Sequence, residues 1–233
     1  MIDLYSWAAP NGHKAQILVE ELGIAYRLIP IDIIHGAQHE AGFRSINPNG
    51  RIPAIVDHDP VDGGGPLTVF ESGALMQYLA EKEGRFLPRD VRGRGEVLQW
   101  LFWQVGGLGP MMGQAQHFFR YAAEPVPYGI ARYQSEARRL LAVLDDRLRG
   151  RDFVCDAYSI ADMACFPWVR IHKMAGLSLD AFPQLQAWYG RVRARPAVER
   201  GLNLLRDRWI DVTTSADAQG NLFARNAHPA PSP

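Results

Sequence analysis

Sulfur is scarce in this chain: its 233 residues carry two cysteines, Cys155 and Cys165. Two thiols cannot build a disulfide framework, and they fit a reduced, cytoplasmic setting. Neither belongs to a C-x-x-C pair, and the seven histidines are scattered along the chain, so no metal site is expected. An excess of charge is also missing. Lys plus Arg and Asp plus Glu both number 25, which gives no electrostatic case for nucleic acid or an anionic membrane as partner. No apolar run is long enough to span a bilayer. The most apolar stretch, Val97 to Gly113, is broken by Gln99, Gln104 and four glycines, and it reads as a buried helix. The first ten residues show no basic segment leading into an apolar one, so no export signal is expected. "DHDPVDGGG", residues 57–65, has the carboxylates of a calcium loop but lacks the late bidentate glutamate, which leaves a solvated hairpin loop. No internal repeat is visible.

What is present divides into two parts, and a chain of this length accommodates two domains. Residues 2–7, "IDLYSW", alternate loosely as a strand. From Gly12 the apolar positions Ala15, Ile17, Leu18 and Leu22 mark a helix closed by Gly23. Residues 25–32 read as a strand, placed at an edge by Pro30. A short irregular helix and a turn at residues 47–50 precede the strand 51–59. A hairpin loop, the strand 67–72 and the helix 73–84 follow. The order β-α-β-α-β-β-α over residues 1–86 is that of a thioredoxin-like α/β domain. Residues 87–96 have the proline, glycine and charge of a linker. Everything from 97 to 208 reads as an all-helical domain. Ile130, Tyr133, Ala137, Leu140, Leu141, Leu144 and Leu148 form one stripe, Ser159 and Asp162 give a capping signature, and Pro167 is expected to bend its helix. Residues 209–233 are polar and end in prolines, as a mobile tail would.

"FESGA" puts Ser72 where a helix N-cap belongs and Glu71 just before it. A helix N-terminus suits a carboxylate and Glu71 suits an ammonium, so the pair matches an amino-acid head group. A capping role alone would explain Ser72 but not Glu71. In "RIPAI" the Ile52–Pro53 bond is either cis, turning the Ile52 N–H and C=O outward to pair with a peptide-like ligand, or an ordinary trans bond at a strand start. Asn11, in "AAPNGHK", is a neutral donor at the start of a helix. That turn holds no nucleophile. Of the nearby hydroxyls, Tyr5 belongs to the strand and Ser6 is a minor candidate to reach the turn.

"PNGHK", "INPNGRIPAIVD", "FESGALMQYLAEK", "LQWLFWQVGGLGPMMGQ" and "YSIADMACFPWV" together resemble the glutathione transferase superfamily. More narrowly they resemble its bacterial Nu class, the glutathione-dependent disulfide-bond reductases, from Met1 to about Pro196. The resemblance implies glutathione as co-substrate, a homodimer, and no metal. It implies a cis bond at Pro53 and the γ-glutamyl end of glutathione on Glu71 and Ser72. It also implies a contact from Gln38 to the ligand backbone, although an isolated loop glutamine is equally well a surface residue. Arg132 would reach across the dimer to a glutathione carboxylate, where its alternative is a solvated helix arginine. Asn11 would stabilise the thiolate of glutathione, whose free thiol has a pKa of about 8.5. The class carries threonine where this chain has Ala9, and loss of an oxyanion-type donor can cost about 10²–10³ in rate.

With Cys165 expected in the core and Cys155 not expected to be catalytic, both sulfurs would come from glutathione and exchange through a mixed disulfide. His13 borders the ligand or serves as a cap. Trp100, Phe102, Trp103, Phe118 and Phe119 are expected mainly in the core, some walling a pocket for a second substrate. The substrate would be a small disulfide, an organic hydroperoxide or an electrophile. The expected activity is disulfide-bond oxidoreductase, with peroxidase activity beside it. The alternatives are a conjugating transferase and a non-catalytic glutathione-binding protein.

Overall fold

The computed structural model describes residues 1–224. β1 (Ile2–Ser6) leads through a three-residue turn into α1 (Pro10–Leu22), and β2 (Tyr26–Pro30) returns parallel to β1. After a short α2 (Ala41–Arg44), β3 (Ala54–Asp57) and β4 (Leu67–Phe70) add antiparallel strands, and α3 (Ser72–Glu83) closes the α/β part. The sheet order is β2-β1-β3-β4, with the proline-bearing β2 at an edge as its missing N–H requires. Gly23 takes the left-handed conformation that ends α1. The Ile52–Pro53 bond is cis.

α4 (Val91–Trp103) begins inside the stretch expected to be linker. Asp90 caps it by accepting the Gly93 N–H, so Gly93 and Gly95 lie in a helix despite their composition signal. The apolar run 97–113 continues through a π-helical turn (Gln104–Leu108) into α5 (Gly109–Gln116). It buries Val97, Leu101, Gln104, Leu108 and Met112 along one face, whereas Phe102 on the other face is exposed. α6 (Pro127–Arg147), α7 (Ile160–Arg170), α8 (Pro183–Arg193) and α9 (Pro196–Asn203) complete the helical part, and α7 runs on through Pro167.

The two parts share one continuous core. Leu4, Ile17, Leu18, Ile55, Leu75 and Leu79 from the first join Leu101, Met112, Leu140, Phe166 and Trp188 from the second. α1 is the shared wall, packed against the sheet on one side and against α7 and α9 on the other. Gly201 permits this contact, since a Cβ there would lie 2.8 Å from the Cα of Ile17.

α7 starts with the expected capping box. Asp162, fully buried, accepts the N–H of Val154 at 2.9 Å and of Ser159 at 3.0 Å, and the indole N–H of Trp188 at 2.8 Å. Burial pushes its carboxyl up to about 6.

The residues expected to trail as a mobile tail are instead seated on the body as far as Ala224; residues 225–233 lie outside those described. Helical turns at Val212–Thr214, α10 (Ala216–Gln219) and Gly220–Ala224 bring Ala218, Val212 and Leu222 onto Trp7 and Ile34. The Asn221 amide donates to the Ile34 carbonyl at 2.8 Å. Few sequence signals mark this segment, because its apolar contacts are single residues set among polar ones.

Replacing Asp162 by Ala orphans the buried N–H groups of Val154, Ser159 and Trp188 and is expected to cost about 3 kcal/mol or more, read as a lowered denaturant midpoint with unchanged slope. Asn221→Ala should speed amide exchange across residues 209–224 by about fivefold while leaving exchange of the shared core unaltered.

Candidate functional site

A cavity of about 680 Å³ opens where the first turn, the cis-proline loop, the start of α3 and α5 converge. Ala9, Asn11, Gln38, Ile52, Pro53, Glu71 and Ser72 all line it. Six of the seven site residues expected from sequence are thereby brought together. The seventh, Arg132, sits exposed on α6 away from this cavity, and within the single chain it is not part of the site.

Asn11 is the second residue of α1, behind Pro10, so it stands in the first turn, where helix N–H groups lack partners within the helix. Its Oδ1 accepts the indole N–H of Trp168 at 3.0 Å. An indole only donates, so the oxygen must face Trp168 and the amide NH₂ is left for the cavity. Sequence reading missed Trp168, 157 residues away and indistinguishable there from its aromatic neighbours. Ala9 is the N-cap of α1 and offers no side-chain bond. Neither nearby hydroxyl replaces the missing one. Ser6 is wholly buried and accepts from the Gln16 amide at 3.1 Å, and Tyr5 lies against Phe43 on the far side.

Glu71, not Ser72, is the cap residue of α3. It holds φ 69° and ψ 119°, a costly backbone for a non-glycine residue, so that β4 turns into the helix within one residue. This makes Ser72 the first helical residue. Its Oγ accepts from the ammonium of Lys14 at 3.2 Å, and both residues are buried. Lys14 is a second residue that sequence reading missed, although it ends the quoted "PNGHK". Gln38 is buried rather than a surface residue. Its amide NH₂ lies 3.1 Å from His39 Nε2 and 3.4 Å from the Asn221 carbonyl, while its Oε1 has no partner among the described residues. The N–H and C=O of Ile52 likewise take part in no backbone hydrogen bond there.

A second cavity of about 390 Å³ lies behind the first turn, and Ala9 and Pro10 line both. Its walls are largely apolar: Trp7, Ile34, Met174, Trp209 and Phe223. Leu222 and Phe223 of the C-terminal segment face both cavities. Trp100, Phe102, Trp103, Phe118 and Phe119, expected mainly in the core with some walling a pocket, line neither cavity; Trp7, Tyr121, Trp209 and Phe223 line this one. His13 caps no helix, and it lines this second cavity buried and with its Nδ1 unpartnered. Burial, with the Arg170 charge adding, pushes the imidazole down to about 3, so it is neutral at physiological pH.

No protein thiolate is available. Cys155 and Cys165 are buried, burial pushes the first up to about 12 and the second well above the ordinary thiol range, and neither lines either cavity. His35 and His39 are four residues apart, but His35 pairs with Asp32 and His39 faces Asn221. Asp57 is committed to Tyr78 and Lys82. Among the described residues no group of three or more His, Cys, Asp or Glu side chains is placed to hold a metal ion, and no helix is long and apolar enough to cross a membrane.

Comparison with known proteins identifies the family. Residues 1–81 match the N-terminal domain model of glutathione S-transferase and residues 130–196 match the C-terminal domain model. The disulfide-bond oxidoreductase YfcG of Escherichia coli (strain K12) is 50% identical over 203 residues, covering 87% of this chain and 94% of that protein. The disulfide-bond oxidoreductase YghU of the same organism is 42% identical, covering 86% of this chain and 73% of that protein. A glutathione transferase from Pseudomonas putida, solved with one glutathione disulfide bound per subunit, superposes with a TM-score of 0.83. It is 41% identical and covers 87% of this chain and 91% of its own. One from Burkholderia graminis, solved with two glutathione molecules per subunit, also gives 0.83 at 41% identity, with 88% of each chain covered. The chain belongs to the glutathione S-transferase family.

Proposed function

We propose that this protein is a glutathione-dependent disulfide-bond oxidoreductase that uses two bound glutathione sulfurs and no cysteine of its own. The observation that carries the reading is the Asn11 amide. Its NH₂ is turned into the cavity by Trp168 at the N-terminus of α1, and no protein thiol lines that cavity. A donor in that position favours a thiolate over a thiol. Relatives named as disulfide-bond oxidoreductases and the pair of glutathiones in a solved neighbour support it.

One glutathione thiolate attacks a substrate disulfide, forming a mixed disulfide and expelling the first substrate thiolate. The second glutathione thiolate then attacks the glutathione sulfur of that mixed disulfide. Glutathione disulfide forms, the second substrate thiolate leaves, and the two protons shed by glutathione end on the two product thiols. Glu71 and Ser72 hold the γ-glutamyl head, Ile52 pairs with the cysteinyl backbone, and Gln38 contacts the rest of the peptide. Arg132 of a partner subunit in a homodimer supplies a further guanidinium for a carboxylate. Both cysteines buried as thiols suit a cytoplasmic setting.

The apolar second cavity favours an added peroxidase activity. An organic hydroperoxide would receive the attack at its outer oxygen, giving alcohol, water and glutathione disulfide from two glutathiones. It would serve equally for an electrophile to be conjugated. Ala9 favours the remaining reading, a protein that binds glutathione without turnover.

Turnover of a small disulfide with glutathione tests these readings together. Asn11→Ala should lower the rate by about 10²–10³ and raise the pKa of the bound thiol by about one to two pH units, read by thiolate absorbance. Trp168→Phe, which keeps the ring but frees the Asn11 amide to rotate, should lower the rate by about tenfold and shift the thiol in the same direction. Ala9→Thr should raise the rate, and an unchanged rate would show that the hydroxyl is dispensable here. Wild-type protein that binds glutathione disulfide yet turns over no disulfide, peroxide or electrophile would establish the non-catalytic reading.

A further inference from the structure

Lysine is almost never fully buried unless paired. Lys14 is 2% exposed, and its ammonium has one hydrogen-bond partner among the described residues, the uncharged Ser72 hydroxyl at 3.2 Å. Lys82 shows the usual arrangement: its ammonium meets the Asp57 carboxylate directly. The charged and titratable groups that face Lys14 do not neutralise it. Glu71, at the start of α3, is exposed at the cavity and makes no ion pair with it. Cys165, on α7, is held protonated by its own burial and so carries no negative charge. Burial therefore outweighs the pull of Glu71 and holds the Lys14 amine down to about 7. A buried cation without a counter-ion is a liability to a fold, and an apolar side chain of similar length would be easier to bury.

The liability points at the cavity. An ammonium only donates, so the Ser72 oxygen accepts from Lys14 and its hydroxyl hydrogen is free to turn elsewhere. Ser72 lines the main cavity at the first turn of α3, whose N–H groups also favour an anion. We propose that Lys14 is the missing half of an ion pair completed by the ligand: a buried positioning cation that, through Ser72, holds the α-carboxylate of the γ-glutamyl head. This rests on glutathione being the ligand. Arrival of the carboxylate favours the ammonium form, so binding draws a proton onto Lys14 at a pH where the free protein holds the amine neutral.

Calorimetry at about pH 8, in two buffers of different ionisation enthalpy, tests this with S-methylglutathione, whose blocked sulfur releases no proton. The comparison ligand is the same peptide with γ-aminobutyrate in place of the γ-glutamyl residue, which lacks only the α-carboxylate. Wild type should take up a proton with the first ligand and none with the second. Lys14→Met should bind S-methylglutathione about tenfold more weakly, without proton uptake, and bind the γ-aminobutyryl peptide as wild type does. The same variant should melt at a higher temperature than wild type, an outcome opposite to that of a merely structural lysine. Equal weakening of both ligands, or equal proton uptake with both in wild type, overturns the proposal; the second needs no variant to fold. Wild-type protein that binds neither S-methylglutathione nor glutathione disulfide refutes the glutathione reading itself.

Discussion

Everything in this molecule is referred to α1. The helix is buried along nearly its whole first three turns, from Gly12 to Val19, because it serves as the common wall between the sheet and the helical part. Gly201 lets α9 approach it closely, and at its far end Arg195 and Arg200 pair with Glu21 and Glu20. A glycine at position 12 is required for the same reason, since any Cβ there would run into the Trp7 carbonyl. With both flanks held, the N-terminus of α1 has little freedom. The candidate donors are then carried by a helix instead of a loop. Asn11 faces the cavity from its first turn, and Lys14, one turn further in, reaches under α3 to Ser72.

The chemistry follows from how charge is withheld. The chain's own thiols are buried beyond use, and the histidine beside the first turn is kept neutral. What faces the main cavity is mostly neutral side chains and backbone, with the strained Glu71 and the Arg51 guanidinium among them. Such a lining suits a ligand that brings its own nucleophile and its own charges, and needs them placed rather than created. The indole of Trp168 contributes by settling a two-fold ambiguity, since without it either end of the Asn11 amide would serve equally well. That single bond also ties the helical part to the first turn, so the orientation of the donor depends on both halves being docked. The C-terminal segment adds a third element. Leu222 and Phe223 line both cavities, so this segment stands at the boundary between the main cavity and the smaller apolar one behind the first turn.

Much of this was legible in the chain. Alternation in β1, the period of α1, the edge-forming Pro30 and the capping pair Ser159 and Asp162 each depend on contacts within a few residues, and each reads directly from spacing. The candidate site was legible where motif residues lie on one turn, as with Asn11 and with Glu71 and Ser72. It was less legible in detail. Ser72 was expected as the cap, yet the cap is Glu71, because the tight passage from β4 to α3 leaves room for one turning residue. Residues 87–96 have linker composition, but α4 starts at Val91 once Asp90 supplies a cap. Trp168, Lys14 and the seated tail left no usable signal, since their partners are 157, 58 and 187 residues away for the bonds Trp168–Asn11, Lys14–Ser72 and Asn221–Ile34.

The sequence by itself determined the order of elements, the α/β and helical halves, the absence of a C-x-x-C thiol pair and the side-chain amide that stands in the first turn. These are local properties of period, turn chemistry and residue type. Only the tertiary structure decided which way the Asn11 amide points, that Lys14 is buried without a counter-ion, and that the last described residues line both cavities. Those depend on which surfaces meet when the two halves bury α1 between them, and packing between distant segments leaves no periodicity to read.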